Sequence, residues 1–473
     1  MVLLQALNLF SEVIGMSEII TKVLPGFMEL LPEEQIEFDR IKNIITTTYE
    51  QYGFTAIDTP VIERSKTLLA KAGGETEKQI YCVENRNGAG AGNSDEYGKA
   101  ELSLRFDLTV PLARYVAEHF NELSFPFRRC HISKVYRGER PQKGRFREFY
   151  QCDIDVIGKD KLSIRYDAEI PSIIYQLFKQ LDFGKFTIRI NNRKILNGLI
   201  GSLNIDTDKV EILRIIDKAE KISRDELILQ FKNQGITDEA VEKLLGFINI
   251  KGSTDEVISM LKSLGVNNGL FNEGLEELAT VTTMMAEMGV ETDYFKIDLS
   301  IARGLDYYTG TVYETVLDDY PKIGSVCSGG RYDNLASYYT TEKLPGVGIS
   351  IGLTRLFYQL REVGLITCTR KTVADIVVVP MDDLNIKTAF RIANCLRTTG
   401  YNVDVLLEEL NIKKKFLYVK KKEAFFTIVI GSEEEASGQL TVQYKANGEL
   451  KKELVSIDSI SEFIKSHYYE MRN

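Results

Sequence analysis

The sequence predicts an α+β domain built on an antiparallel sheet, interrupted by a helical insertion and followed by a small α/β domain. Three observations carry this prediction: two β-rich runs within residues 125–158, a proline-free helical stretch from about 191 to 289, and alternating strand and helix patterns after residue 373. Paired runs joined by a short loop are typical of antiparallel sheets, whereas alternating strands and helices are typical of parallel ones. The chain therefore combines two fold classes.

The composition is that of an ordinary globular protein with several domains. The 473 residues are 44% hydrophobic, and no stretch reaches the roughly 20 apolar residues that a membrane-spanning helix needs. The six cysteines form no CxxC pair, and three histidines do not complete a zinc site. We therefore expect a reduced, cytoplasmic protein with no membrane partner. The net charge of -9 argues against indiscriminate nucleic-acid binding, although local basic patches can still bind a specific one.

The chain is predicted to open with an extension, a helix and an edge strand. Residues 1–21 are apolar but lack the basic start of a secretory signal, so they form an N-terminal extension. A helix is predicted over about 33–52, because isoleucines recur there at helical spacing. The strand 54–62 follows, closed by Pro60. A helix, a glycine and an edge strand would suit any α+β protein.

The two β-rich runs between residues 125 and 158 each have one apolar and one polar face. The polar faces carry Arg129, His131, Ser133 and Arg137 in the first run, and Arg147, Phe149, Gln151, Asp153 and Asp155 in the second. Guanidinium groups bind phosphate oxygens, a ring can stack on a base, and carboxylates can receive an ammonium. The face therefore suits a nucleoside triphosphate and a small zwitterion. A solvated amphipathic hairpin is the alternative.

Three further segments carry candidate binding residues. In residues 102–120, Asp107 and Thr109 precede a helix that begins near a proline, so they either cap this helix or bind a ligand. In residues 295–317, a glycine turn projects Arg303, and Tyr307 and Tyr308 offer hydroxyl groups. The segment SGGRYDNL adds Tyr332, and the glycine-rich run GVGISIG enters a helix with Arg355 near its start. Packing is the alternative role for these tyrosines.

Together these motifs resemble those of class II aminoacyl-tRNA synthetases, and of histidyl-tRNA synthetases in particular. RGER, REF and the aspartate before VIG, within residues 137–158, are similar to motif 2. ARGLDYYTG resembles a signature of the histidine-specific enzymes, GVGISIGLTRL resembles motif 3, and residues 33–62 resemble motif 1. The resemblance extends from about residue 22 to the end of the chain and is weak in the helical insertion.

The resemblance implies a class II catalytic domain with an antiparallel sheet, a helical insertion and a C-terminal α/β anticodon-binding domain. The domain boundaries expected from it are 1–21 for the extension, 22–190 for the first catalytic part with motifs 1 and 2, 191–293 for the helical insertion, 294–367 for the second catalytic part with motif 3, and 373–473 for the anticodon-binding domain.

The resemblance also implies a function and its residues. It implies a homodimeric histidine–tRNA ligase that activates L-histidine with ATP and Mg²⁺, releases pyrophosphate and transfers histidine to the 3' end of tRNA(His). By resemblance, the catalytic residues are Arg137 and Arg303. The implied histidine-binding residues are Asp107, Thr109, Arg137, Gln151, Asp155, Arg303, Tyr307, Tyr308 and Tyr332. The implied ATP-binding residues are Arg137, Glu139, Arg145, Phe149 and Arg355. No side chain is assigned to a metal, because Thr354 stands where family members typically carry an acidic residue.

Two other functions fit the same motifs. A synthetase-like regulatory subunit of the enzyme that begins histidine biosynthesis keeps the catalytic fold without its activity, but usually lacks the last domain. This chain carries residues 373–473 as well as Arg137 and Arg303. A prolyl- or threonyl-tRNA synthetase is the second alternative, and it would not need Asp155 or the tyrosine pair at 307 and 308.

Overall fold

The structure is a computed structural model that describes residues 21–70, 78–84, 101–140, 144–203, 205, 209–219, 222–301, 308–446 and 448–472. The chain divides into two units. The first comprises the described residues up to Glu29 together with those of Asn43–Leu365, and the second comprises those of Leu30–Lys42 and Ile366–Asn473. The predicted extension 1–21 lies outside the described residues except for its last residue. The domain boundaries expected from the sequence stay predictions.

An eight-stranded sheet and a three-stranded sheet organise the first unit. Its strands are β1 (Thr55–Ala56), β2 (Ile62–Arg64), β3 (Cys82–Val83), β4 (Leu102–Leu104), β5 (Phe127–Tyr136), β6 (Glu148–Ile157), β7 (Phe186–Asn192), β8 (Phe295–Ile297), β9 (Thr311–Leu317), β10 (Ser325–Tyr332) and β11 (Gly346–Gly352). The large sheet has the order β1-β5-β6-β11-β10-β9-β7-β8, and the small one β2-β4-β3. The large sheet is antiparallel except at its two edges, where β1 pairs with β5 and β7 with β8 in parallel.

The hairpin β5–β6 has the alternating faces that the sequence predicts. On one face, Cys130, Cys152, Ile154 and Val156 are buried in the core. The polar residues of the other face lie side by side, because the register sets Arg129 opposite Asp155, His131 opposite Asp153, and Ser133 opposite Gln151. Strand β11 pairs with the other edge of β6, so its residues continue this polar face.

The prediction of one strand over residues 54–62 is wrong. Thr55–Ala56 belongs to the large sheet, and Ile62–Arg64 pairs with β4 in the small sheet. Two features separate these two strand segments. Arg105 donates a hydrogen bond to the carbonyl of Thr59 at 2.6 Å. Pro60 has no N–H group to donate to a neighbouring strand. The strand breaks there because the side chain of a distant residue takes its backbone acceptor.

Helices cover the first unit and form nearly all of the predicted insertion. They are α1 (Pro32–Gln51), which runs from the second unit into the first, then α2 (Ser65–Leu69), α3 (Thr109–Glu118), α4 (Arg165–Leu181), α5 (Arg193–Ser202), α6 (Lys209–Ile216), α7 (Arg224–Asn233), α8 (Asp238–Ile248), α9 (Thr254–Ser263), α10 (Gly269–Glu287) and α11 (Leu353–Glu362). Polar side chains cap five described helices of the predicted insertion, since Asn192, Ser223, Thr237, Ser253 and Asn268 each accept a first-turn N–H. None of the described helices is long and apolar enough to cross a membrane.

The second unit is a five-stranded α/β structure. Its strands are β12 (Ile376–Pro380), β13 (Val403–Val405), β14 (Phe426–Ile430), β15 (Gln439–Ala446) and β16 (Glu449–Ser456), and its later helices are α12 (Ile386–Thr398), α13 (Ile412–Lys422), α14 (Ser432–Ser437) and α15 (Ile460–Arg472). The order is β13-β12-β14-β15-β16. The sequence predicts a largely parallel sheet, but β15 and β16 run antiparallel. The link between β14 and β15 is too short for a parallel crossover.

Candidate active site

A cavity of about 1040 Å³ opens on the polar face of β6, β10 and β11. Eleven of the thirteen predicted site residues line it: Asp107, Thr109, Arg137, Glu139, Arg145, Phe149, Gln151, Asp155, Tyr308, Tyr332 and Arg355. The other two, Arg303 and Tyr307, lie outside the described residues. Phe149 and Asp155 are six residues apart on β6, a span of roughly 20 Å. That length suits a nucleotide and an amino acid placed end to end.

Asp155 forms the charged floor at one end of the cavity. Its carboxylate lies 2.6 Å from the guanidinium of Arg129, which is fully buried, and accepts a hydrogen bond from the hydroxyl of Tyr332 at 2.8 Å. Burial raises the pKa of Asp155 to about 6, although Arg129 and the Tyr332 hydroxyl oppose that rise. At neutral pH a carboxyl with this pKa is largely ionised, so it pairs with Arg129 and can accept a hydrogen bond from an imidazole N–H.

Gly348 leaves room for the side chain of Asp155, because it has no side chain of its own. It lies opposite Asp155 in the β6–β11 pairing, and a Cβ atom added there would stand 2.3 Å from the carboxylate and 2.4 Å from the carbonyl of Ile154. Neither neighbour can yield easily, because one is backbone and the other is held by Arg129 and Tyr332. A side chain at this position would displace the floor of the cavity.

We expect Gly348→Ala to destabilise the protein by about 1–3 kcal/mol, the usual cost of forcing extra volume into a packed site. Gly352→Ala is the matched control on the same strand, because its added Cβ would meet nothing closer than 4.0 Å. Thermal unfolding of the two variants and the parent protein measures the difference. Equal unfolding temperatures for Gly348→Ala and Gly352→Ala would show that the close approach carries no cost.

Asp107 caps a helix and also lines the cavity. One of its oxygens accepts the backbone N–H groups of Thr109 at 3.1 Å and Val110 at 2.9 Å, ahead of α3. Burial raises the pKa of Asp107, while these N–H donors and the nearby Arg137 oppose the rise. The cap uses only one carboxylate oxygen of Asp107. Capping the helix and binding a ligand, which the sequence left as alternatives for Asp107, are therefore compatible.

Arg137 is held between two aromatic rings. Its guanidinium lies 4.3 Å from the ring centre of Phe106 and 5.0 Å from that of Phe149, and its Nε donates to the Phe106 carbonyl at 3.2 Å. The two rings and the carbonyl together fix the position of the guanidinium at the cavity. A fixed cation of this kind suits an oxyanion or a phosphate.

The remaining predicted nucleotide-binding residues surround this arginine on the loop and on α11. Arg145 and Glu139 approach each other at 3.5 Å, and Arg147 donates to the Glu139 carbonyl at 2.9 Å. Arg355 donates to the carbonyl of Ile323 at 2.8 Å, which braces it at the start of α11. Arg145 and Arg355 thereby add two positive groups to the lining of the cavity.

Thr354 is buried in the first turn of α11. Its hydroxyl accepts the backbone N–H of Tyr150 at 2.8 Å. Within the described parts of the chain, no group of three or more His, Cys, Asp or Glu side chains is arranged to hold a metal ion.

Several cavity residues carry no predicted role. Asp153 lines the cavity between Gln151 and Asp155, and the alternation of the hairpin predicts that it and Arg129 share this face. Arg193, at the start of α5, donates to the Tyr308 carbonyl at 2.8 Å. Helix α6 of the insertion also lines the cavity. No local pattern could have identified these last contributions, because they depend on how the insertion packs.

Comparison with known proteins identifies the family. The family model described as histidyl-tRNA synthetase matches residues 26–356, and an anticodon-binding-domain model matches residues 375–467. The chain belongs to the histidyl-tRNA synthetase family. The resemblance stated from the motifs is thereby confirmed, as is the fold class of a class II catalytic domain followed by an anticodon-binding domain.

Relatives of this histidyl-tRNA synthetase family match nearly the whole chain. The histidine–tRNA ligase of Clostridium tetani is 53% identical over 445 residues, covering 94% of this chain and 98% of the relative. That of Xanthomonas campestris is 48% identical over 433 residues, covering 89% and 91%. The crystal structure of histidyl-tRNA synthetase from Nostoc sp. PCC 7120 has a TM-score of 0.84 at 40% identity, covering 95% and 100%.

A more distant structure shares only the fold. A protein from Bacillus halodurans, described as an ATP phosphoribosyltransferase regulatory subunit/histidyl-tRNA synthetase, has a TM-score of 0.71 at 19% identity and covers 88% of this chain. At that identity the likeness shows the fold alone. Function therefore has to be argued from the cavity.

Proposed function

We propose that the chain is a histidine–tRNA ligase. It joins the carboxylate of L-histidine to the α-phosphorus of ATP, releases pyrophosphate, and then transfers histidine to the 3' end of tRNA(His). The observation that carries the proposal is that Arg137, Asp155 and Tyr332 line one cavity, so that a guanidinium, a carboxyl and a phenol meet there. Relatives named histidine–tRNA ligase, at 53% and 48% identity, support it.

Adenylate formation needs positive charge at the α-phosphate. Negative charge builds up there as the carboxylate oxygen attacks and pyrophosphate leaves. Arg137 is fixed by its aromatic neighbours before the reaction, so it stabilises this charge without reorganising. By resemblance, Arg303 acts on the same phosphate and on the histidine carboxylate. Glu139, Arg145, Phe149 and Arg355 are assigned to the rest of ATP.

Magnesium is proposed only as the ion that accompanies ATP. It would neutralise charge on the phosphate chain, and no protein side chain is assigned to it. The positive groups that this chain itself supplies are arginines, and they are the groups to which the chemistry is assigned.

Selection of histidine is assigned to Asp155 and the tyrosines. An imidazole offers one N–H donor and one nitrogen acceptor, so its pocket needs a group of each kind. The carboxyl of Asp155 is held by Tyr332, and Tyr308 lines the same cavity. A pocket that hydrogen-bonds its ligand rejects lookalikes by about 10⁴ or more, because its buried polar groups would be left unpaired.

The proposal also covers the α-ammonium of histidine, the binding of tRNA and the assembly of the protein. Asp107, Thr109 and Gln151 are proposed to receive the α-ammonium, and Tyr307 to join the histidine pocket. The anticodon-binding domain, matched over residues 375–467, is proposed to bind the tRNA. A homodimer in the cytoplasm completes the proposal, on the resemblance of residues 33–62 to motif 1.

The test is ATP–pyrophosphate exchange with each of the twenty amino acids, followed by charging of tRNA(His). We expect exchange with histidine alone, at least 10⁴-fold above any other amino acid. Exchange driven by proline or threonine would contradict the histidine pocket. A correctly folded protein that supports no exchange would favour the regulatory-subunit alternative, which keeps the fold without the reaction.

A further inference from the structure

A short segment of the chain, Asn191–Arg193, lies where β7 meets α5, and its side chains are buried. The amide of Asn191 donates to the carbonyl of Leu299 at 3.3 Å and to that of Ile301 at 3.0 Å. These two carbonyls come just before residues 302–307 in the sequence, and Ile301 lines the cavity. One cavity residue is therefore held in place from the end of β7.

Arg193 holds the chain just after residues 302–307. Its guanidinium donates to the carbonyl of Tyr308 at 2.8 Å, and its backbone N–H donates to the carbonyl of Gly310 at 2.9 Å. Only the first of these two bonds depends on the arginine side chain. A hydrogen bond from a charged donor is stronger than one between neutral groups, so the guanidinium is an effective anchor for the Tyr308 carbonyl.

The ring of Tyr308 has little room to move. A Cβ atom added to Gly330 on β10 would stand 3.0 Å from Cδ1 of this ring. The ring also packs against the apolar cluster that contains Tyr332, whose hydroxyl donates to Asp155. A shift of the Tyr308 backbone would therefore displace its phenol relative to the carboxyl that is proposed to bind the imidazole. A displacement of about 1 Å at such a site can cost on the order of 10²-fold in rate.

The start of α5 gives Arg193 a firm base. The side chain of Asn192 accepts the backbone N–H of Lys194 at 2.9 Å, and its amide donates to Glu277 of α10 at 2.8 Å. The ammonium of Lys194 pairs with Glu277 at 2.5 Å and with Glu273 at 2.7 Å. The residues on both sides of the arginine along the chain are thus tied to a second helix of the insertion. The backbone of Arg193 is therefore fixed by contacts that do not involve the residue its guanidinium holds.

We propose that Arg193 is a positioning residue for the histidine pocket, in which it holds the backbone of Tyr308 and thereby the phenol of this tyrosine. The inference rests on the proposed function and deepens it, because it names a residue of the predicted insertion that sets the geometry of imidazole binding. Arg193 acts on histidine through Tyr308. Asn191 does the same through Ile301, but removing its amide would leave two buried carbonyls without a donor, so Arg193 gives the cleaner test.

Arg193→Met tests the proposal, because it removes the guanidinium and keeps most of the length of the side chain. Pyrophosphate exchange is measured over a range of histidine and of ATP concentrations. We expect the KM for histidine to rise about tenfold, with the KM for ATP within about twofold and kcat per active site within about threefold, because the phenol contributes to histidine binding before and during the reaction. Arg193→Lys, which keeps a charged donor, should recover part of the loss. Arg189→Met on β7 is the matched control and should match the parent, since Arg189 pairs with Asp298 at 3.5 Å and does not line the cavity.

A double-mutant cycle shows whether Arg193 acts through Tyr308. Tyr308→Phe removes only the phenol hydroxyl and should raise the KM for histidine about tenfold. Once that hydroxyl is gone, its position no longer matters, so adding Arg193→Met should raise the KM by no more than about threefold further. If the two effects multiply to about 100-fold, Arg193 acts independently of the phenol and the positioning role is wrong.

A purely structural role for Arg193 predicts a different result. Arg193→Met would then lower the unfolding temperature and the fraction of active sites, and the remaining active protein would keep the parent KM for histidine. Thermal unfolding and active-site titration of adenylate formation measure the first two quantities. An unchanged KM in this variant, beside histidine-dependent exchange by the parent protein, would mean that the inference is wrong and the function stands. If the parent protein shows no histidine-dependent exchange, the proposed function and this inference fall together.

Discussion

Asp155→Ala is expected to abolish histidine-dependent ATP–pyrophosphate exchange, with a fall in kcat/KM of about 10⁴. The substitution removes the carboxyl that accepts the Tyr332 hydroxyl and that is proposed to hydrogen-bond the imidazole of histidine. It also leaves Arg129, whose side chain is fully buried, without its counter-charge. The loss should be measured as the rate of pyrophosphate exchange at saturating ATP over a wide range of histidine concentrations.

The stability of this variant has to be checked beside its activity. Leaving a buried charge unpaired typically costs about 3–5 kcal/mol, so part of the loss could come from unfolding. Tyr332→Phe avoids that problem, because it removes one hydroxyl and keeps the Arg129–Asp155 pair. We expect it to lower kcat/KM for histidine by about tenfold at unchanged ATP affinity. Near-normal exchange by a folded Asp155→Ala protein would remove the pocket assignment.

Arg137→Gln is expected to lower kcat for exchange by about 10²–10³, with a smaller change in the KM for histidine. The guanidinium is stacked between Phe106 and Phe149, so it is positioned before charge develops on the α-phosphate. A fixed donor at such a position contributes mainly in the transition state. Single-turnover formation of the adenylate, measured in parallel with histidine binding, separates the two effects.

Arg140→Gln is the matched control for this substitution. Arg140 is an exposed arginine three residues further along the same loop, and it does not line the cavity. We expect exchange within about twofold of the parent protein. If Arg137→Gln and Arg140→Gln lose activity equally, the effect comes from the general positive charge of the loop. Equal losses in kcat and histidine affinity for Arg137→Gln would instead contradict a transition-state role.

The parts of the site that the sequence predicts are those governed by strand periodicity. In β6 every second residue from Phe149 to Asp155 lines the cavity, so the alternation alone is enough to place Gln151 and Asp155 on one face. Their partners from β10 and β11 cannot be placed in that way. Tyr332 is identified only through the resemblance of its motif to that of a family, and its bond to Asp155 joins residues 177 positions apart.

Other features depend on contacts that no local pattern records. Arg193 supports Tyr308 from the first helix of the insertion, and Arg105 ends a strand by taking the carbonyl of Thr59. Asp153 stands on the predicted face, but the alternation assigns it no role.

The strand order has a consequence for biosynthesis. Strand β6 pairs with β11 from Gln151 to Ile157, yet nearly two hundred residues of chain separate the two strands. At about 5–20 residues per second, a ribosome needs roughly 10–40 s to make that chain. Throughout this interval the hairpin β5–β6 exposes an unpaired edge rich in Ile and Val, which is the kind of surface that aggregates. The nascent protein is therefore most vulnerable before Gly346 leaves the ribosome, and a chaperone would gain most by shielding that edge.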